Sequence, residues 1–293
     1  MKITNKKGLP EPIVRVLTQD DYTRGPSNRS ITQLIDSPRV RILRAEHEED
    51  IEEDVSEMTW SVLGRAIHKL FEDETAFGAE ERFFLDRQGW TISGAVDLQE
   101  EESTMLTDYK STSVWSVIYG KTEWHNQLNA YAWLARHAKG LKIDKLQIVA
   151  FLRDWSRRDS ETKGNYPVAP LMAIPIPVWP EAQQDAYMEG RIKAHQDAEF
   201  ARIVGDQVPP CSDEERWLKT STYAVKKLAN KRALRVFDSM AEAEKYMEDK
   251  SLDDKHGIET RHGEPTRCVQ DWCRVASFCS QFQGEVWGGK DDA

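Results

Sequence analysis

Residues 90–110, WTISGAVDLQEEESTMLTDYK, decide how this chain folds. They read as two β-strands separated by a Glu-rich turn. Side chains alternate across a strand, so Asp108 and Lys110 project from one side, about 6–7 Å apart. In the first strand Thr91, Ser93, Ala95 and Asp97 share a face, while Trp90, Ile92, Gly94, Val96 and Leu98 take the other. Asp97 thus falls on the more polar side. Two acids converging across adjacent strands can hold a hard divalent cation through oxygen ligands. A lysine beside them can orient or polarise a water for in-line attack on phosphorus. The segment predicts hydrolase chemistry.

Working outward, ERFFLDR (81–87) and a turn at Gln88–Gly89 complete a three-strand meander. Upstream, Ser30 is an N-cap for a short helix with Ile31, Leu34 and Ile35 at helical spacing, and Pro38 breaks or kinks it. A second helix spans about residues 57–75, with Leu63, Ile67 and Leu70 as its core stripe. Gly64 and His68 share a neighbouring face, where the glycine would allow close approach to the sheet. Downstream, residues 123–139 form an amphipathic helix ending near Gly140, and residues 146–155 a buried strand. A polar loop (156–165), a strand around LMAIPIPVW and a long helix from about 181 to 203 follow. This order predicts an α/β (α+β) core with a mixed sheet. No Gly-rich loop follows a strand, so nucleotide-cofactor chemistry has no support. The expected division is 1–204 and 205–293, the second part holding a basic segment and all four cysteines.

The chain has 293 residues, 39% hydrophobic and 31% charged, with 10 Trp, enough for a sizeable core. No apolar run reaches membrane-spanning length, and MKITNKKGLPEP lacks a secretory apolar stretch. A soluble cytosolic protein is expected. A net charge of -10 argues against general polyanion binding but leaves room for local basic patches. One is 217–237, with Lys219, Lys226, Lys227, Lys231, Arg232 and Arg235 and no acid; a solvated helical face is its plainer reading. The acidic run 47–57 reads as a solvated connection or helix start.

Gly64-Arg-Ala-Ile-His68, Gly94-Ala-Val-Asp97, Asp108-Tyr-Lys110 and Gln127-Leu-Asn-Ala-Tyr131, taken together, resemble the PD-(D/E)xK nucleases. The resemblance is to the RecB-like branch, which includes CRISPR adaptation nucleases and phage recombination exonucleases. It implies a restriction-endonuclease-like core with flanking helices and a cysteine-rich, metal-stapled C-terminal region. It also implies that His68, Asp97 and Asp108, with the Tyr109 carbonyl, ligate Mg²⁺ or Mn²⁺, and that Lys110 positions the attacking water. Without the motifs, His68 would read as a hydrogen-bonded, partly buried histidine. Gln127 and Tyr131 lie at i and i+4, either as part of a core helix or beside the active site.

Cys268, Cys273 and Cys279 form a cluster in RCVQDWCRVASFC, and Cys211 precedes it. Clustered cysteines in a cytosolic chain point to metal ligation more than to disulfides; incidental buried thiols are the other reading. Four thiolates suit Zn²⁺, although its usual ligand pairs sit closer together. The resemblance implies a [4Fe–4S] cluster instead. In that branch the remaining cysteine often lies just before a proline of the N-terminal helix. Here Ser37 occupies that place, leaving Cys211 as the available fourth thiolate, so the staple would tie the C-terminal region to itself.

The leading expectation is a metal-dependent deoxyribonuclease acting on DNA ends or single strands in recombination, repair or phage replication. Its partners would be DNA and a recombination or replication protein, with no membrane. Its location would be the cytoplasm, that of the bacterial host if it is phage-encoded. Trp217, Tyr223 and Trp272 are candidate stacking aromatics. A non-catalytic nucleic-acid-binding or assembly protein with a structural metal is one alternative. A metallohydrolase of small phosphorylated molecules is another.

Overall fold

The structure, a computed structural model, describes residues 1–19, 25–74, 81–96, 98–100, 104–270 and 272–283. Asp97 lies outside the described residues. In chain order the elements are β1 (Lys2–Thr4), α1 (Glu11–Thr18), β2 (Arg29–Ser30), α2 (Ile31–Ile35), α3 (Pro38–Glu46), β3 (Glu52–Asp54), α4 (Thr59–Glu74), β4 (Glu81–Arg87) and β5 (Trp90–Val96). Then come β6 (Leu98–Glu100), β7 (Met105–Thr112), α5 (Val114–Ile118), α6 (Thr122–Lys139), β8 (Lys145–Leu152), α7 (Arg157–Thr162), β9 (Leu171–Ile176) and α8 (Glu181–Val204). Last are β10 (Thr222–Lys227), β11 (Arg235–Phe237), α9 (Met240–Asp249), β12 (His256–Arg261), α10 (Thr266–Val269) and α11 (Ser280–Gln283).

Contacts divide the chain into two units, Met1–Pro38 with Glu49–Gln207, and Arg39–Glu48 with Val208–Ala293. The first is mixed α/β, as expected. Its larger sheet runs β6-β7-β8-β9, with β7 and β8 parallel and both outer pairs antiparallel. A parallel pair needs a long crossover, and α5 and α6 supply it. A smaller sheet runs β2-β5-β4. The expected meander is therefore split: β5 pairs with β4 and β2, and the short β6 beyond it pairs with β7. Gln88 and Gly89 turn the β4–β5 hairpin with φ of 51° and 78°, the positive pair that a tight hairpin requires.

α6 is the central helix of this unit. Trp124, Leu128, Tyr131, Trp133 and Leu134 are buried in the core with Ile148 and Ala150 of β8. Gly140 ends it in the left-handed region, its N–H donating to the Ala135 and Arg136 carbonyls. Gly94 permits a close approach: a Cβ there would stand 2.9 Å from both Leu134 and Tyr131. Gly64, by contrast, has nothing within 4 Å of such an atom, so it serves no close contact. The expected stripe on α4 also shifts. Leu63 and Leu70 are 42% and 66% exposed, and the inward side carries His68 and Phe71.

Ser30 caps α2 in a full capping box with Gln33. Of the acidic run, Glu52–Asp54 forms a strand parallel to β1. Asp54 accepts from Thr4 Oγ1, Lys6 N and Ser56, satisfying the turn that follows.

The second unit holds an antiparallel sheet, β11-β10-β12, with Ala224, Val225 and, from α9, Ala243 fully buried. The basic segment is thus strand, turn and strand, not a helical face. Tyr223 and Val225 suit a pleated surface, and pairing to β12 overrides the helix-forming Ala224, Lys226 and Lys227 beside them. No helix among the described residues is long and apolar enough to cross a membrane.

Candidate functional site

β7 lies between β6 and β8, and its central residues Leu106 to Tyr109 are buried. Asp108 is 3% exposed. Lys110 Nζ donates to Asp108 Oδ1 at 3.0 Å and stands 2.8 Å from Oδ2. A carboxylate this deep requires a compensating charge, and the lysine two residues along the same face supplies it. Asp108 is in register with Ile148 and Lys110 with Ala150, both fully buried, so the pair emerges from the apolar side of the sheet that α6 covers.

On the opposite side of β7, Tyr109 stacks on Phe71 at 4.3 Å and 5°. The His68 ring meets Tyr109 edge-on at 6.4 Å and 86°. Residues three apart on α4 thus clamp one tyrosine. On α6, Gln127 Nε2 donates to Tyr131 Oη at 3.3 Å, and Tyr131 is one of the two side chains against Gly94. Of the residues named from sequence, Asp108 meets Lys110 and Gln127 meets Tyr131, while His68 touches the Tyr109 ring on the other side of the strand. Asp97 falls outside the described residues; its neighbour Leu98 pairs with Thr107, the residue before Asp108. Among the described residues, no three His, Cys, Asp or Glu side chains are arranged to hold a metal ion.

In the second unit all four cysteines line one pocket with Arg39 and Arg216. None is in a disulfide, and Cys273 and Cys279 are 6% and 7% exposed. Burial, then the neighbouring Cys273 and Cys279, pushes the Cys268 thiol up to about 11. Arg39 Nε donates to Cys279 Sγ at 3.2 Å, and its other nitrogens donate to the Val208 carbonyl and Ser280 Oγ. Gln281 and the Cys211 backbone exchange two hydrogen bonds, at 2.8 and 3.0 Å. Arg216 is ion-paired with Asp213 at 2.7 Å, and thiolates bound to a metal would add negative charge beside both guanidinium groups. Four thiols round one pocket are a soft donor set of the kind that metals take, although their present arrangement does not close on an ion. Arg39 was not legible as a site residue, its only signal being its place after Pro38 at the start of a helix.

The candidate stacking aromatics differ. Trp272 is 65% exposed, Tyr223 is partly buried in β10, and Trp217 is 40% exposed with φ of 53°. The Arg267 guanidinium lies 5.7 Å from the Trp217 ring centre.

The profile of the PD-(D/E)XK nuclease superfamily matches residues 23–280. A match over most of the chain assigns it, and the protein belongs to that superfamily of nucleases. A solved structure described as the crystal structure of SSO0001 is similar at 16% identity and a TM-score of 0.42, over 62% of this chain and 85% of that one. No curated protein matches the chain.

Proposed function

We propose that the protein is a divalent-metal-dependent deoxyribonuclease, acting as an exonuclease on DNA ends or single strands in recombination, repair or phage replication. The observation that carries this reading is the buried Asp108–Lys110 pair at the middle of β7. Hydrolysis of a phosphodiester adds water across a P–O bond, and negative charge builds on the phosphoryl oxygens as the bond to the leaving oxygen breaks. Lys110, partly exposed at its tip, would orient the water and offset that charge. Asp108, held rigidly by the lysine and the sheet, presents oxygen ligands. Asp97, His68 and the Tyr109 carbonyl would complete the set; Leu98 pairing beside Thr107 supports the place of Asp97 next to Asp108. Mg²⁺ or Mn²⁺ bound there would supply Lewis-acid polarisation of the phosphate and the water. Gln127 and Tyr131 would buttress β5 from α6 and border the bound strand.

Cys211, Cys268, Cys273 and Cys279 would hold a [4Fe–4S] cluster, with Zn²⁺ as the alternative occupant. The gathering of all four thiols round one pocket supports either metal. The basic turn between β10 and β11, with exposed Lys227, Lys231 and Arg232, would guide DNA by contacting phosphates.

The test is Mg²⁺-dependent degradation of labelled single-stranded DNA by wild type, Lys110→Ala and Asp108→Ala. Activity confined to wild type is expected. Equal behaviour of all three would remove the enzyme reading and favour a binding or assembly role. Broad visible absorption by freshly purified protein would identify the cluster, and a colourless zinc-containing protein would replace it.

A further inference from the structure

α5 is a one-turn helix with an unusual division of side chains. Val114 and Ser116 are buried at 2% and 7%, and Val117 and Ile118 pack partly against the core. Its inward face is therefore already filled. Trp115 and Tyr119, at i and i+4, occupy the outward face, 53% and 79% exposed. Their rings stack on each other at 5.8 Å and 15°. A soluble surface helix ordinarily carries polar residues in such places.

The support beneath these rings is rigid. Ser113 caps α5 by accepting from Trp115 N, and its hydroxyl donates to Asp154 Oδ2 at 2.6 Å. Val114 N donates to Asp154 Oδ1 at 2.8 Å. Thr112 Oγ1 donates to Ser116 Oγ at 2.7 Å. Thr112 stands on the same side of β7 as Asp108 and Lys110, so the row bearing the acid–lysine pair runs straight into α5. At the same end of the sheet, Arg153 N donates to the Thr112 carbonyl, and the Arg153 guanidinium lies 3.9 Å from the centre of Trp60. Trp60 is itself 57% exposed, and Arg157 and Arg158 are exposed a few residues further on. Open aromatic faces beside exposed arginines match the chemistry of single-stranded nucleic acid, whose bases stack and whose phosphates need cations.

We infer that Trp115 and Tyr119 form a base-stacking platform for single-stranded DNA, with Trp60 and Arg153 continuing it, and deliver the strand to Asp108 and Lys110. The last clause rests on the nuclease reading; the platform does not. Its base contacts are sequence-tolerant, because every base has a π-face.

The test is fluorescence anisotropy of the intact protein with a labelled single-stranded oligonucleotide, Mg²⁺ and Mn²⁺ being omitted. Trp115→Ala and Tyr119→Ala should each weaken binding about tenfold, and Trp115→Phe should restore most of it. An oligonucleotide of the same length without bases should bind wild type about as weakly as it binds Trp115→Ala. Wild type that ignores single-stranded DNA, Ala variants that bind like wild type, or equal losses on the base-free probe would each overturn the platform. So would a change of oligomeric state in Trp115→Ala, by sedimentation, with DNA binding intact: the face would then join copies of this chain. Normal platform behaviour without Mg²⁺-dependent cleavage would sink the nuclease reading alone.

Discussion

The largest fully buried side chains, from Trp133 and Phe83 to Met188 and His195, all lie in residues 1–38 and 49–207. The other unit buries Ile42, Ala224, Val225, Ala243, Val275 and Ala276, together with Cys273 and Cys279. One unit is stabilised by bulky apolar packing between helices and a mixed sheet. The other has mostly small apolar residues, a stack of His47 on Phe278 at 4.1 Å, and arginine contacts to a thiol-lined pocket. Modest cores of that kind are usually stapled by metals or disulfides, and no disulfide is present among its cysteines. The difference teaches that the two units draw on separate stores of stability.

The largest expected effect follows from withdrawing the proposed metal. Thiolate–metal coordination contributes on the order of 10 kcal/mol to small metal-held folds. Stripped protein should therefore lose order across 39–48 and 208–283 while 1–38 and 49–207 persist. Limited proteolysis with mass spectrometry reads this out: early cuts are expected in the cysteine unit, leaving resistant fragments from the other. Equal rates of cutting in both would erase the contrast.

Next in size is Lys110→Ala. Loss of one group that offsets transition-state charge lowers kcat about 100- to 1,000-fold. Metal content and the visible spectrum of the cysteine unit should not change, which a paired kinetic and optical measurement checks. A loss of both together would mean that the two units do not act separately.

Gly94→Ala comes third. The new methyl would sit 2.9 Å from Leu134 Cδ2 and Tyr131 Cε1 and 3.1 Å from Ile31 Cγ1. Overpacking of this sort costs about 1–3 kcal/mol. The melting transition of the larger unit should fall while that of the cysteine unit stays put. An unchanged melting curve would show that α6 yields more easily than its dense packing suggests.

Local signals carry much of this architecture. The Gln88–Gly89 hairpin, the helix closing at Gly140, and the shared face of Asp108 and Lys110 follow from turn chemistry and strand periodicity. Partners set by distant sequence do not. Residues 39–48 join the C-terminal unit through contacts such as Arg39 to Cys279, 240 positions away, which no periodicity encodes. The α4 stripe misleads for a related reason: Leu63 and Leu70 have the right spacing, but the sheet receives His68 and Phe71 instead. Lys-rich residues 217–237 carry helix-forming composition, yet the pairing of β10 with β12 decides their state. Trp115 and Tyr119 are unremarkable in sequence until Val114 and Ser116 prove to fill the inward face of α5.

The smallest effect concerns the anchor of α5. Burial works to raise the Asp154 carboxyl, but hydrogen bonds from Ser113 Oγ and Val114 N outweigh it and hold the group below its ordinary range. A carboxyl depressed by folding adds stability above its unfolded pKa, about 4, and loses it as pH falls through the folded value. Asp154→Asn keeps the shape and removes the charge, so at pH 7 it should cost about 1 kcal/mol, the scale of one hydrogen bond. As pH falls from the unfolded pKa toward the lower folded one, the carboxylate is progressively protonated in wild type as well, and the gap between the two proteins should shrink. Denaturant melts at pH 7 and pH 3 measure the gap. If it persists undiminished at the lower pH, the charge of Asp154 is not what fastens the aromatic helix to the end of β8.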